Sequence, residues 1–212
     1  MPNRTVHLAV YDTLADWEYG HLVANLRSGL AHRASAGPIE VRTVGAGEAE
    51  VTTMGGLRVR PDLTLDGLTP QDSALLVLPG AQLWDAGDAL APFAKKAAEF
   101  VAAGVPVAGI CGATAGLARA GLLDGRAHTS AAAGYLGFQE GYQGGGSYRE
   151  AEAVTSEDGL LITAGPTEPV AFAREALGRL EVMEPEVLDA WYRLFRHSDP
   201  SAYEVLEAAG QS

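Results

Sequence analysis

Residues 105–118 read Val-Pro-Val-Ala-Gly-Ile-Cys-Gly-Ala-Thr-Ala-Gly-Leu-Ala, and the fold turns on this stretch. Val105 to Ile110 is an apolar run of strand length, as expected of a strand buried on both faces. Cys111 follows at once, and a small-residue helix spans Gly112 to Ala120 with no loop between. In open parallel sheets, ligands bind at the carboxyl ends of the strands, where Cys111 stands. So abrupt a strand-to-helix turn strains the backbone and needs small neighbours. Gly109, Gly112 and Ala113 supply them, as in a nucleophile elbow.

The same strand-then-helix rhythm runs outward in both directions. Val6 to Tyr11 and Ile39 to Val44 read as strands, separated by a helix whose stripe is Tyr19, Leu22, Val23, Leu26 and Leu30. Val51–Met54 and Leu57–Arg60 flank Gly55-Gly56, a two-residue hairpin signal. Ala74 to Leu78 is a buried strand ending at Pro79-Gly80, and Phe93, Ala97, Phe100 and Val101 line the next helix. Leu160 to Ala164 is the last strand, with helices over Glu168–Leu180 and around Leu188, Trp191, Tyr192 and Phe195. Strands alternating with helices predict a mostly parallel sheet covered on both faces, an α/β sandwich with a small β-hairpin. No linker, charge block or repeat divides the chain, so residues 1–212 read as a single domain. Gly134 to Gly146 is Gly-rich but carries aromatics, which suits a loop or short helix near a site.

Composition narrows the functional classes. Apolar residues make up 47% and charged residues 20%, which excludes a disordered chain. Fifteen Lys+Arg against 27 Asp+Glu give a net charge of −12, opposite to the basic field that nucleic acid or an anionic membrane requires. Apolar runs are far shorter than the roughly 20 residues of a membrane span, and Met1 to Thr5 lacks an apolar signal core. A cytoplasmic location is the expectation. One cysteine excludes an intrachain disulfide and a multi-thiolate zinc site. His7, His32 and His197 show no ligand spacing, and no phosphate-cradle motif occurs, so neither metal nor cofactor is expected.

A lone cysteine is ordinarily a small buried apolar residue. At the start of a helix its thiolate is favoured by free N–H groups and the helix dipole. That effect reaches about 2 kcal/mol, enough to lower a thiol pKa of about 8.5 by only about 1.5. Full ionisation needs a further partner, and a protonated carboxylic acid donating to sulfur would serve. Glu18 opens the helix after strand one, at the same sheet edge if the strands are parallel. Asp16 and Glu18 also suit a plain role at a helix N-terminus, and spacing alone leaves both readings open.

Glu18 after strand one, Leu78-Pro79-Gly80-Ala81 after the middle strand, and Ile110-Cys111-Gly112-Ala113 at the elbow together resemble the ThiJ/PfpI family. Cys111 to Ser130 and Ile162-Thr163-Ala164 extend the likeness, which runs from strand one to Pro169. The family belongs to the class I glutamine amidotransferase-like superfamily and includes the parkinsonism-associated deglycase; the chain is most similar to its bacterial YoaZ-like branch. The resemblance implies a flavodoxin-like sandwich, Cys111 as nucleophile and Glu18 as its protonated partner. It also implies an oxyanion pocket of backbone N–H groups at Ala81 and Gly112, beside Gly80, and a homodimer.

The chain departs from the family at its histidine. Where relatives carry one, directly after the nucleophile or some 20 residues on, this sequence has Gly112 and Ala131. His128, in an expected short strand Arg126–Ser130, is the nearest candidate, as a third catalytic group or as a structural hydrogen-bonding residue. The late histidine of glutamine-hydrolysing members is also missing from Gly165-Pro166-Thr167-Glu168-Pro169, which argues against a glutaminase. His21 lies one turn beyond Glu18, bordering the pocket or a dimer contact, or simply half-exposed.

Two functional classes follow. In the first, the protein is an enzyme: Cys111 adds to a small carbonyl or amide carbon, glyoxalase-III- or deglycase-like, with Glu18 shuttling the proton. In the second it is a redox sensor or stress-response protein whose thiol is oxidised without turnover. Peptidase chemistry fits poorly, because an amine leaving group needs an acid that a missing histidine does not supply. Substrate identity rests with the loops Asp12–Trp17, Gln82–Asp88 and Ala131–Gly146.

Overall fold

The computed structural model describes residues 5–210. Seven strands form one sheet. In chain order they include β1 (Thr5–Ala9) and β2 (Glu40–Gly45), parallel with Val6 opposite Val41. After the separate pair β3 (Val51–Thr52) and β4 (Arg58–Val59) come β5 (Leu63–Thr64), β6 (Leu75–Leu78) and β7 (Val107–Ile110). β8 (Ala153–Thr155) and β9 (Leu161–Ala164) complete the sheet, in the order β5-β2-β1-β6-β7-β9-β8. Every pairing is parallel except β8 with β9. β6 and β7 are buried at every residue, which is why their sequences are unbroken apolar runs rather than alternating ones.

The helices are α1 (Asp16–Ser28), α2 (Ala91–Ala102), α3 (Ala113–Arg119), α4 (Ala133–Gly137), α5 (Pro169–Arg179), α6 (Pro185–His197) and α7 (Tyr203–Gly210). From β1 the chain steps one way along the sheet to β2, and from β6 the opposite way to β7. Right-handed crossovers in opposite directions place α1 and α2 on opposite faces. α5 packs on α1, and α6 and α7 extend that layer; α2, α3 and α4 form the other. The result is a flavodoxin-like α/β sandwich. Its sheet order reverses between β1 and β6, leaving a crevice at their carboxyl ends.

Three local expectations are corrected. The first helix ends two residues short of the end of its stripe, because Gly29 adopts φ +64 and its N–H closes on the Asn25 carbonyl. Leu30 falls beyond that cap and is 56% exposed. The hairpin has shorter strands and a three-residue loop: Thr53 N–H donates to the Leu57 carbonyl, and Gly56 takes φ +82. That left-handed residue after a turn is the three-residue solution, and it needs glycine at the second position of the pair. The segment Arg126–Ser130 forms no strand, only an isolated bridge between His128 and Tyr148.

Candidate active site

Cys111 sits between β7 and α3 with φ +57, a left-handed conformation rare for a residue with a side chain. Such a residue costs about 1–3 kcal/mol and persists only where its surroundings over-determine it. Here they do. The Cys111 N–H donates to the Ala164 carbonyl at the end of β9 (3.0 Å), and its carbonyl accepts from Thr114 N–H (3.0 Å) and Thr114 Oγ1 (2.6 Å). Thr114 Oγ1 is in turn 2.6 Å from Ser130 Oγ. The small neighbours are tightly fitted. A Cβ on Gly109 would lie 2.6 Å from Leu117 Cδ1, and one on Gly112 would lie 3.2 Å from the Ala81 carbonyl and Trp84 Cβ.

Glu18 lies in the first turn of α1, 1% exposed. Its Oε2 accepts from Gly80 N–H at 2.5 Å, so the loop after β6 and the helix after β1 are tied through this carboxyl. Cys111 Cβ and both carboxyl oxygens of Glu18 converge on one face of Gly80, so thiol and carboxyl act on one another's titration, while no nitrogen or oxygen donor among the described residues reaches Oε1. A Cβ on Gly80 would fall 2.8 Å from both Cys111 Cβ and Glu18 Oε2, so the pair can meet only across a glycine. The Gly80 loop is braced from beneath: the Tyr11 hydroxyl donates to the Pro79 carbonyl, and Trp84 Nε1 donates to the same oxygen at 3.0 Å.

Burial dominates the electrostatics. It pushes the Glu18 carboxyl from 4.5 up to about 7, against the Gly80 N–H and the thiol, which favour the charged form. It pushes the Cys111 thiol up to about 12, with the Glu18 charge and hydrogen bond adding to the rise. The Gly112 N–H opposes this by donating toward sulfur, as expected of a helix start, but it does not outweigh burial. The two groups titrate as a pair: above neutrality they hold one proton between them, and a thiolate forms most readily when that proton sits on Glu18.

The sulfur opens onto a cavity of about 230 Å³. Trp17 and Glu18 line it from the start of α1, Gln82 and Asp85 from the turn after β6, Ala131 from the segment leading into α4, and Tyr135 from α4 itself. Ala81, 7% exposed, and Gly112 border it as well. Met54, at the hairpin tip, lines it too and is not foreseen by the sequence; an apolar residue beside Gly-Gly, 42% exposed, was the available signal. The hairpin is clasped to the loop before α1 by Met54 N–H to the Leu14 carbonyl (2.9 Å) and Gly55 N–H to Asp16 Oδ2 (2.6 Å).

Two expected site residues are placed elsewhere in role. Gly80 lines the cavity, but its N–H is committed to Glu18 and cannot serve a substrate oxygen. His128 does not line the cavity. It is fully buried, its Nδ1 donates to the Arg126 carbonyl at 2.7 Å, and its Nε2 accepts from the Tyr142 hydroxyl at 2.7 Å. Burial pushes its pKa down, so this is a neutral imidazole satisfied at both nitrogens, edge-on to Tyr142 and Tyr148. His21 stands edge-on to Trp191 and Phe195, away from the cavity lining. Among the described residues no cluster of three His, Cys, Asp or Glu side chains is arranged for a metal ion. No helix of the described residues is long and apolar enough to cross a membrane.

Comparison with known proteins agrees with this geometry. The DJ-1/PfpI family model matches residues 4–179. The chain is 39% identical to an uncharacterized protease of Bacillus subtilis (strain 168), YoaZ, over 96% of each chain. It is 29% identical to a second from the same organism, YdeA, over 89% of each. Among solved structures, a thiJ/pfpI family protein from Bacillus anthracis superposes with a TM-score of 0.92 at 37% identity, covering 97% of this chain and 96% of that one. The DJ-1 superfamily protein Atu0886 from Agrobacterium tumefaciens gives 0.80 at 33% identity, over 92% and 98%. By its sequence across nearly the whole chain and by its fold, this protein is a member of the DJ-1/PfpI family.

Proposed function

We propose that the protein is a cysteine-dependent enzyme that acts on small electrophilic carbonyl compounds, with Cys111 as nucleophile and Glu18 as proton shuttle. The observation that carries this reading is the contact between a thiol held at φ +57 and a buried carboxyl with one oxygen lacking an N–H or O–H donor. A carboxyl lifted to about 7 is matched to accept a proton and return it at neutral pH. The cavity of about 230 Å³ is smaller than the roughly 300–1,000 Å³ of drug-sized sites, which favours a substrate of few atoms.

For an α-oxoaldehyde the chemistry closes without an outside reagent. The thiol proton passes to Glu18 as sulfur bonds to the aldehyde carbon, and the oxygen charge develops beside the Ala81 and Gly112 backbone. Glu18 returns that proton to the oxygen to complete the hemithioacetal, and the freed carboxylate then moves the hydrogen from that carbon to the neighbouring one, giving a thioester of a 2-hydroxy acid. Water cleaves the thioester and restores the thiol. The Bacillus subtilis relatives carry the name protease. Peptide cleavage would require protonating an amine leaving group, and the cavity lining offers no histidine for it.

The test is conversion of methylglyoxal to lactate by the purified protein. Cys111→Ser is expected to abolish it, and Glu18→Gln to lower kcat by about 10²–10⁴-fold. No turnover of methylglyoxal or simple amides, with a sulfinate forming at low peroxide, would replace this reading with the oxidation sensor. The homodimer implied by the resemblance is part of the proposal, and sedimentation at twice the monomer mass checks it.

A further inference from the structure

The carboxyl groups of the cavity face no cation within it. Glu18 and Asp85 line it, and among the described residues no lysine, arginine or histidine does. Two side-chain donors at its rim are already spent: the Tyr135 hydroxyl donates to Asp85 Oδ1 at 2.8 Å, and Trp17 Nε1 donates to the Pro166 carbonyl at 3.2 Å; the Gln82 amide and the Ala81 and Gly112 backbone, which also line it, carry no net charge. Arg119, the nearby cation, is committed to Gln139 Oε1 at 2.6 Å and the Trp84 carbonyl at 2.9 Å, and lines no part of the cavity. On the inner wall, Glu18 Oε1 is buried without an N–H or O–H partner. Asp85 is near enough for its charge to act on the thiol and on Tyr135.

We propose that this cavity selects by charge, taking cationic, amine-bearing carbonyl compounds ahead of neutral ones and turning carboxylates away, with Asp85 as the specificity-determining residue. An ammonium or amide N–H supplies the donor that Glu18 Oε1 lacks. A carboxylate entering the same space meets two like charges and no compensating cation. The 2-hydroxy acid product carries such a charge, so the residue that admits substrate also helps to expel product. This rests on the reading that Cys111 is where substrate bonds, and it extends that reading to the substrate's class.

Cys111 is the only cysteine, so its labelling rate reports this cavity alone. Two methanethiosulfonate probes suit the purpose, one ending in trimethylammonium and one in sulfonate. Each forms a mixed disulfide with the Cys111 sulfur and releases methanesulfinate, so they differ chiefly in charge. The ratio of cationic to anionic labelling rates is compared with that at an exposed position, Ala103→Cys in a Cys111→Ser background, which experiences the same net charge.

The ratio at Cys111 is expected to exceed the control at least about tenfold, and Asp85→Asn to lower it by about tenfold. Tyr135→Phe, which removes a hydroxyl but no charge, is expected to leave the preference in place. A ratio equal to the control, one that Asp85→Asn leaves unchanged, or one abolished by Tyr135→Phe overturns the proposal. The probes react whether or not methylglyoxal is turned over, so failure here and failure of the catalytic reading are separate results.

Discussion

At the residue scale, Glu18 ties protein stability to pH as well as serving the thiol. The folded protein retains its proton up to about 7, whereas an ordinary glutamate releases it near 4.5, so folding takes up a proton between those values. The contribution is full below about 4.5 and is lost as pH rises through about 7. Its size is on the order of 3 kcal/mol. Urea denaturation of the wild type and Glu18→Gln between these pH values is therefore expected to show the wild type losing stability relative to the variant as pH rises. A constant difference between the two curves would mean that Glu18 is not held in the low-dielectric setting described here.

At the element scale, the site depends on a hairpin that belongs to neither helical layer. Thr13, a β-branched residue at φ +65, is held by its N–H to the Thr52 carbonyl at 2.8 Å, and Asp16 holds the hairpin tip through Gly55. The clasp fixes the loop that delivers Glu18 and places Met54 over the cavity. Asp16→Ala removes a charge-assisted bond worth about 1.5 kcal/mol. It is expected to speed amide hydrogen exchange across residues 51–59 and raise KM, with little change in Tm, because global unfolding does not depend on this clasp. Asp16→Asn, which keeps an acceptor, should restore most of the protection. The hairpin was legible in Gly55-Gly56, but its docking was not: side-chain-to-backbone bonds across 39 residues leave no trace in local sequence.

For the whole molecule, a net charge of −12 opposes compaction through self-repulsion, and the surface ion pairs contribute little against it. Raising KCl from about 0.01 to about 0.15 M shortens the Debye length from about 30 to about 8 Å. Tm is expected to rise by about 2–4 °C, equivalent to about 1 kcal/mol, in a thermal melt at fixed pH. A Tm that falls with salt would show that the ion pairs outweigh the repulsion. At this scale the parallel sheet, its helices and the Cys111 elbow were all determined by the sequence itself, because hydrophobic period and small-residue spacing are local properties of the chain. Tertiary structure alone decided that Glu18 meets the thiol across Gly80, that Gly80 spends its N–H on that carboxyl, and that His128 is enclosed by Tyr142 and Tyr148. Tertiary structure also set the balance of charge at the sulfur: a helix start favours thiolate wherever it occurs, but how strongly burial opposes it depends on everything packed around the pair.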